Sequence, residues 1–400
     1  MQPVIAVVVA LACLGGCGRD SAQQQAQPQP QAPPTVPLSP PQQQQAAAID
    51  QALGRAGRFL ASRQREDGAI PSRTYAALKD GWSLTPLAVL ALRMVPPDEA
   101  AAAAYRRGVD HVATLVGPGG AVRAAPEVSY PLYAYAIGAL VLGAPDNRRH
   151  RPAHGRLLAA LRTLQLAEHT GWRPGAPSFG GWGYAPRPPV REGAGLDEGD
   201  LAANLSATLL AVGALLLGGT PPDDPALVAA RGFVERCQNL ATDGGFFFSP
   251  SLPDSNKAGA REDGGLRSYG SMTADGLRAL LRLGRAPADP RVAAAAAWLD
   301  RNFDAARNPG EFPPVAEVRR ESSYYYWAWS AAHAARHLGK PRWAEALAAE
   351  LLRRQGADGS WRNPASEMRE DDPIIATSFA IAALALSRSV ITGEPRSHAY

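Results

Sequence analysis

The 400-residue chain is 46% hydrophobic and 20% charged, enough for a core that buries roughly 75% of the unfolded surface, and its net charge of +4 is too small for a nucleic-acid-binding field. Three lysines (Lys79, Lys257 and Lys340) accompany 38 arginines, a usage that fits coding bias better than a phosphate-reading surface. Cys13 and Cys17 lie in the first segment and Cys237 has no partner in the body, which excludes a disulfide scaffold.

Val4 to Leu14 is an apolar run too short to span a bilayer, and it ends in small residues, the shape of a secretory signal. Leu14-Gly15-Gly16-Cys17 resembles a bacterial lipoprotein signal, although the segment before it lacks Lys and Arg. Residues 1–16 are expected to be removed and Cys17 to be lipidated. Residues 17–45 are mostly Gln, Pro and Ala, with too little large apolar surface for a core, and are expected to form a disordered tether. Anchor and tether predict a lipid-anchored protein of the bacterial cell envelope, on its periplasmic or surface face, with the membrane as its partner. Gly18 stands where some bacteria use Asp for inner-membrane retention, which favours the outer membrane.

Residues 46–390 alternate two helix types, with 391–400 as a tail. Amphipathic, charged segments fall at about 46–63, 98–116, 149–167, 224–240, 288–304 and 342–354, and nearly uncharged ones at about 83–95, 131–143, 203–217, 271–284, 323–338 and 374–388. A helix polar on one face suits an outer ring, and one that is apolar all round must be covered on both sides. The expected fold is therefore all-α, an α6–α6 toroid of six helical hairpins. The apolar helices share a pattern that starts at Thr85, Tyr133, Thr208, Thr273, Tyr325 and Thr377, with a small residue three later and Ala six later. A second repeat follows the outer helices. Gln355, Gly359 and Trp361 have the spacing Q-x-x-x-G-x-W, Gln64 and Gly68 share its Gln and Gly, Gln238 and Gly244 belong to a longer copy, and Gln165 precedes a copy drifted to Gly180–Tyr184. Glycine in a left-handed turn with an aromatic ring packed behind it reads as a structural staple.

Together these repeats resemble the squalene/oxosqualene cyclase and protein prenyltransferase superfamily. Gln355–Trp361 matches the QW motif of triterpene cyclases, and 180–184, 204–215, 243–250 and 269–280 look like the bacterial prenyltransferase and squalene-oxidase repeat proteins. The resemblance implies an α6–α6 barrel over essentially all of 46–390. Its known chemistries do not carry over. Cyclases of this kind use an acid pair just before the repeat Thr, where the six copies here hold no Asp or Glu, and the zinc transferases use an Asp-x-Cys and a His that have no counterparts. No metal and no cofactor are expected.

What remains is a rim of aromatics and acids on the loops that lead into the apolar helices. Trp82, Tyr133, Trp182, Tyr269, Tyr324 and Tyr325 are the candidate ligand-binding residues, since an aromatic well suits an isoprenoid chain or sugar rings alike. Asp275, Glu321, Asp371 and Asp372 are the candidate acids. Asp275 stands out because it interrupts an apolar helix, where a charge is costly unless paired or facing a cavity. Asp371 and Asp372 read first as an N-terminal cap and helix-dipole partner of the helix that follows, and only second as catalytic acids. Three functions follow: a toroid that holds an apolar or polymeric ligand without catalysis, an isoprenoid cyclase or transferase with an unrecognised acid, or a surface glycan hydrolase or lyase. All three place the opening at the N-terminal ends of the inner helices.

Overall fold

The computed structural model describes residues 37–191 and 197–394. Cys17 and the tail beyond residue 394 lie outside the described residues. In chain order the helices are α1 (Pro40–Ser62), α2 (Thr85–Leu92), α3 (Glu99–Ala113), α4 (Pro131–Leu142), α5 (Arg151–Thr163), α6 (Leu205–Leu217), α7 (Pro225–Arg236), α8 (Gly270–Arg282), α9 (Pro290–Asn302), the short α10 (Glu317–Glu321), α11 (Tyr324–Leu338), α12 (Pro341–Arg354) and α13 (Pro373–Thr392). The only sheet among the described residues is a two-residue antiparallel pairing of Trp182–Gly183 with Ala203–Asn204.

The six apolar helices close a ring. Each of α2, α4, α6, α8, α11 and α13 packs on the next, and α13 returns to α2. The amphipathic helices α1, α3, α5, α7, α9 and α12 lie outside them, so the fold is an α6–α6 toroid. Although α13 has the length and apolarity of a membrane span, it serves as an inner helix, packed against α11, α12, α1 and α2.

The Gln-Gly-aromatic repeat fastens the rings together. Gln64, Gln165, Gln238 and Gln355 each donate two hydrogen bonds from the side-chain amide. One goes to the carbonyl of the copy's own glycine (Gly68, Gly180, Gly244 or Gly359), and the other to a carbonyl of the next outer helix (Ala104, Ala226, Arg291 or Ala52). All four glycines have φ between 82° and 87°, the left-handed region that disfavours any residue with a Cβ. Two residues later, the backbone N–H of Ile70, Trp182, Phe246 or Trp361 donates to the hydroxyl of the repeat threonine, Thr85, Thr208, Thr273 or Thr377, at 2.8–3.1 Å. The two repeats are thus one device, which joins an outer helix, its neighbour and the following inner helix. Copies two and five carry Tyr133 and Tyr325 in place of the threonine.

Two boundaries differ from the sequence reading. The helical region starts at Pro40, inside the stretch 17–45 expected to be tether. Ser39 and Gln42 form a capping box with Pro at the first helical positions, and Gln42 and Gln45 donate to Glu345 of α12. Glutamine is a competent helix former once it has a surface to dock on. At the other end α13 continues to Thr392, two residues beyond 390, with Ile391 buried.

Candidate functional site

The inner ring encloses a cavity of about 440 Å³. Its wall comes from the first turns of five inner helices: Leu84 and Leu87 at α2, Tyr133 and Ile137 of α4, Ser206 and Leu210 of α6, Tyr326 and Trp329 of α11, Ile375 and Phe379 of α13. The i, i+3 and i, i+4 spacings put each pair on one inward helix face. Loop residues complete the wall, among them Tyr130, Tyr184, Phe248, Lys257 and 367–370. The cavity therefore lies toward the inner-helix N-termini, the end that the loop lengths pointed to.

Aromatic contacts give the wall its shape. Trp329 stacks on Phe379 at 5.4 Å, Tyr326 meets both edge-on, and Tyr133 lies 5.8 Å from Tyr184, with their hydroxyls 3.4 Å apart. Besides Glu367 and Arg369 of the 367–370 loop, Asp275, Glu370 and Lys257 stand in or behind this wall. Asp275, fully buried, accepts hydrogen bonds from Tyr326 Oη at 2.6 Å and Ser330 Oγ at 2.8 Å. Burial pushes its carboxyl up to about 6, against these two donors that favour the ionised form. Glu370 is also buried and caps α11 from a distant loop: its oxygens accept from the backbone N–H groups of Tyr325 and Tyr326, each at 2.8 Å, and from Asn363 Nδ2 at 3.2 Å. Burial carries its carboxyl up to about 7, again against those donors. Lys257 is partly buried, with its ammonium nitrogen 5.2 Å from the centre of the Phe248 ring and 5.9 Å from that of Tyr269. Burial lowers it to about 8, despite the opposing charges of Glu370 and Asp275.

Of the six aromatics singled out from sequence, Tyr133 lines the cavity. The other five lie elsewhere. Trp182 is fully buried and donates from Nε1 to the Leu161 carbonyl at 2.7 Å. Tyr269 packs edge-on against Phe312 at 5.9 Å. The hydroxyls of Tyr324 and Tyr325 reach the carbonyls of Ala305 and Arg362, and Trp82 stacks on His111 while bonding Thr114. The reason is helix phase and loop direction: being near the rim in sequence does not turn a ring inward, and on α11 residues 326 and 329, rather than 324 and 325, face the cavity.

The acids divide in the same way. Asp372 caps α13 through the N–H of Ile374 at 2.8 Å and also accepts the Ser72 hydroxyl, while Asp371 accepts the Tyr75 hydroxyl. Glu321 is exposed at the end of α10, and its backbone carbonyl takes the Asn363 amide. Asp275 alone of the four touches a residue of the cavity wall through its side chain. Sequence reasoning missed Lys257, Trp329 and Phe379 as site residues, and it placed Tyr326 and Glu370 among the rim aromatics and acids without singling them out. A signal for Tyr326 was present in the Asp275 argument itself, since a buried carboxylate needs donors from the neighbouring inner helix, and Tyr326 and Ser330 supply them. Among the described residues, no group of three or more His, Cys, Asp or Glu side chains is placed to hold a metal ion. Chemically, the arrangement offers a hydrocarbon well with a few tyrosine hydroxyls, the Lys257 amine, the side chains of Glu367 and Arg369, and the carboxyls of Asp275 and Glu370, which titrate near neutrality.

No protein-family model matches the chain, and no curated protein sequence does. Solved structures match it in fold. A variant of the type II terpene cyclase MstE from Scytonema is 15% identical with a TM-score of 0.54, over 87% of this chain and 99% of that one. Another MstE variant, in complex with geranylgeranyl dihydroxybenzoate, is 14% identical with a TM-score of 0.54 over the same shares. Unsaturated glucuronyl hydrolase from Bacillus sp. GL1 is 14% identical with a TM-score of 0.52, over 85% of this chain and 95% of that one. At these identities the likeness is one of architecture, and this chain shares the α/α toroid of a terpene cyclase and a glycan-degrading hydrolase.

Proposed function

We propose that the toroid binds an apolar, isoprenoid-like ligand, its chain among the aliphatic and aromatic side chains of the well and its polar end beside Lys257 and Glu370. The observation that supports this most is the wall itself. Leu84, Leu87, Ile137, Leu210, Ile375 and Phe379 line about 440 Å³, within the size range of small-molecule sites, roughly 300–1,000 Å³. A sugar leaves hydroxyls facing hydrocarbon there, a desolvation without compensating hydrogen bonds, whereas a hydrocarbon chain leaves nothing unsatisfied. The complex of MstE with geranylgeranyl dihydroxybenzoate is a case of a similar toroid taking an isoprenoid-bearing molecule. The test is a farnesol titration followed by tryptophan fluorescence, with Trp329→Phe to identify the reporting residue. Saturable quenching that depends on Trp329 is expected. Retention of oligosaccharides bearing an unsaturated uronate, with no response to farnesol, would overturn the reading.

Catalysis is the second reading, favoured by one contact: Tyr326, a cavity residue, bonds directly to Asp275, whose carboxyl takes up a proton near pH 6. Conversion of a geranylgeranyl substrate that disappears in Asp275→Asn would select it. We also propose that the chain is anchored in the cell envelope through a lipid on Cys17. Cys17→Ser should then abolish metabolic palmitate labelling and release the protein from membranes, and unchanged labelling would refute the anchor.

A further inference from the structure

We infer that Lys257 is a nucleophilic amine that captures a long-chain aldehyde in the apolar well as an imine, an inference that rests on the well's taking an apolar ligand. Lys257 comes from the long loop between α7 and α8 and contributes to the cavity wall. Its nitrogen lies against the faces of Phe248 and Tyr269, and among the described residues its side chain forms no ion pair or hydrogen bond. The other two lysines differ: Lys79 is exposed, and Lys340 pairs with Asp300 at 2.6 Å. In a chain with 38 arginines to three lysines, the cavity carries the cation that can lose its proton and become a nucleophile, which arginine cannot.

The environment supports that chemistry. With the amine lowered to about 8 by burial, about a tenth of it is neutral at pH 7, against about one part in three thousand for an ordinary lysine. An apolar pocket is a recognised way to activate a lysine toward carbonyls. The nitrogen lone pair attacks the aldehyde carbon, forming the N–C bond, and the carbonyl oxygen takes up a proton as nitrogen gives one to solvent. The resulting hydroxyl then takes up a proton and leaves as water while the nitrogen lone pair forms the C=N bond, and loss of the remaining N–H proton completes the balance: amine plus aldehyde yields imine plus water with no change in oxidation level. Glu370, whose charge reaches Lys257, supplies a counter-charge for the protonated imine.

The experiment uses the purified full chain with farnesal, trapped by borodeuteride and read by peptide mass mapping, beside a farnesol titration that reports non-covalent binding. A reduced adduct that has lost the aldehyde oxygen, concentrated at Lys257 at least about tenfold over the exposed Lys79 because an apolar pocket activates an amine toward carbonyls, is the expected result. It should be lost in Lys257→Arg, with the thermal transition of that variant checked for folding. Farnesol binding without such an adduct overturns the imine and leaves the binding reading standing. Labelling spread evenly over the three lysines, or an adduct that keeps its oxygen, also overturns it. Failure of both farnesol and farnesal overturns the imine and the binding reading together.

Discussion

Gln238 directs both amide hydrogens to main-chain carbonyls, Gly244 at 3.0 Å and Arg291 at 2.9 Å, and so holds its turn against α9. Gln238→Ala leaves two carbonyls without these donors at a water-poor contact and should destabilise the fold by about 2–4 kcal/mol, measured as a shift in the urea midpoint at unchanged slope. A loss under about 0.5 kcal/mol, the size of an ordinary surface substitution, would remove its role as a staple. At Gly180 a Cβ would sit 2.1 Å from the Ala229 carbonyl oxygen, and φ is already 86°, so Gly180→Ala belongs among the severe substitutions. Asp275 gives a pH test. Its carboxyl lies at about 6 in the folded chain, against an ordinary value of 3.8, so the native state holds that proton more tightly than the unfolded one. Stability from this site is complete below about pH 4 and is lost as the pH rises through 6. A shift of about two units corresponds to on the order of 3 kcal/mol. The stability of the wild type relative to Asp275→Asn should therefore fall by roughly that amount between pH 4 and pH 7, measured by urea unfolding at both. A difference independent of pH would mean that Asp275 does not titrate there. Its singularity was legible because a charge on an apolar helix demands an explanation. Lys257 was not, because nothing in a loop's sequence says which of its side chains folds back over the ring.

Helix ends show how local chemistry becomes ring geometry. Asp98, Asn204, Asp224, Asp289 and Asp372 each accept a hydrogen bond from a first-turn N–H of the helix they precede, which fixes where α3, α6, α7, α9 and α13 begin. Asp372 does more than cap, because it also takes the Ser72 hydroxyl and so ties the last inner helix to the first loop. Asp372→Ala should cost about 1–2 kcal/mol from the cap alone, and more than the same change at Asp98, whose carboxylate bonds the exposed Arg58; thermal melts of the two variants give the comparison. For α11 the cap is Glu370, 45 residues downstream, and no sequence pattern announces a partner so distant. The twelve ring helices were legible within a few residues because an apolar-all-round segment and a one-faced segment differ in composition along their whole length. The start of α1 and the whole of α10 were not: the first reads as Gln-Pro tether until Glu345 is seen to receive it, and the second is too short to show a period. The cavity side of α11 was equally hidden, since three consecutive tyrosines reveal no phase.

Closure of the ring sets the behaviour of the molecule as a whole. An open stack of hairpins has two end repeats with uncovered faces and can lose them one at a time, but here α13 packs on α2 and α1 packs on both α12 and α13. Arg388 on α13 bonds Asp50 on α1 at 2.8–2.9 Å, and Gln355 beyond α12 reaches the Ala52 carbonyl of α1 at 2.9 Å. First and last hairpins are therefore neighbours, with no free edge from which to fray. The toroid should unfold in one transition, with helix content by circular dichroism and tryptophan fluorescence giving the same urea midpoint. The two ends of the chain then respond differently to deletion. Removing residues 1–37 leaves the compact unit that begins at Leu38 whole in sequence, and the midpoint should not move. Removing the chain from Pro373 onward withdraws an inner helix that buries Ile374, Ile381, Leu384 and Leu386, at about 1.5–3 kcal/mol per large aliphatic side chain, and opens the ring on both sides. That loss approaches the whole of a typical domain's stability, about 5–15 kcal/mol, so the truncated chain should lack a cooperative transition altogether. A truncated chain that still melts sharply would show instead that five hairpins hold without closure, and that α13 is an addition to the core rather than the element that completes it.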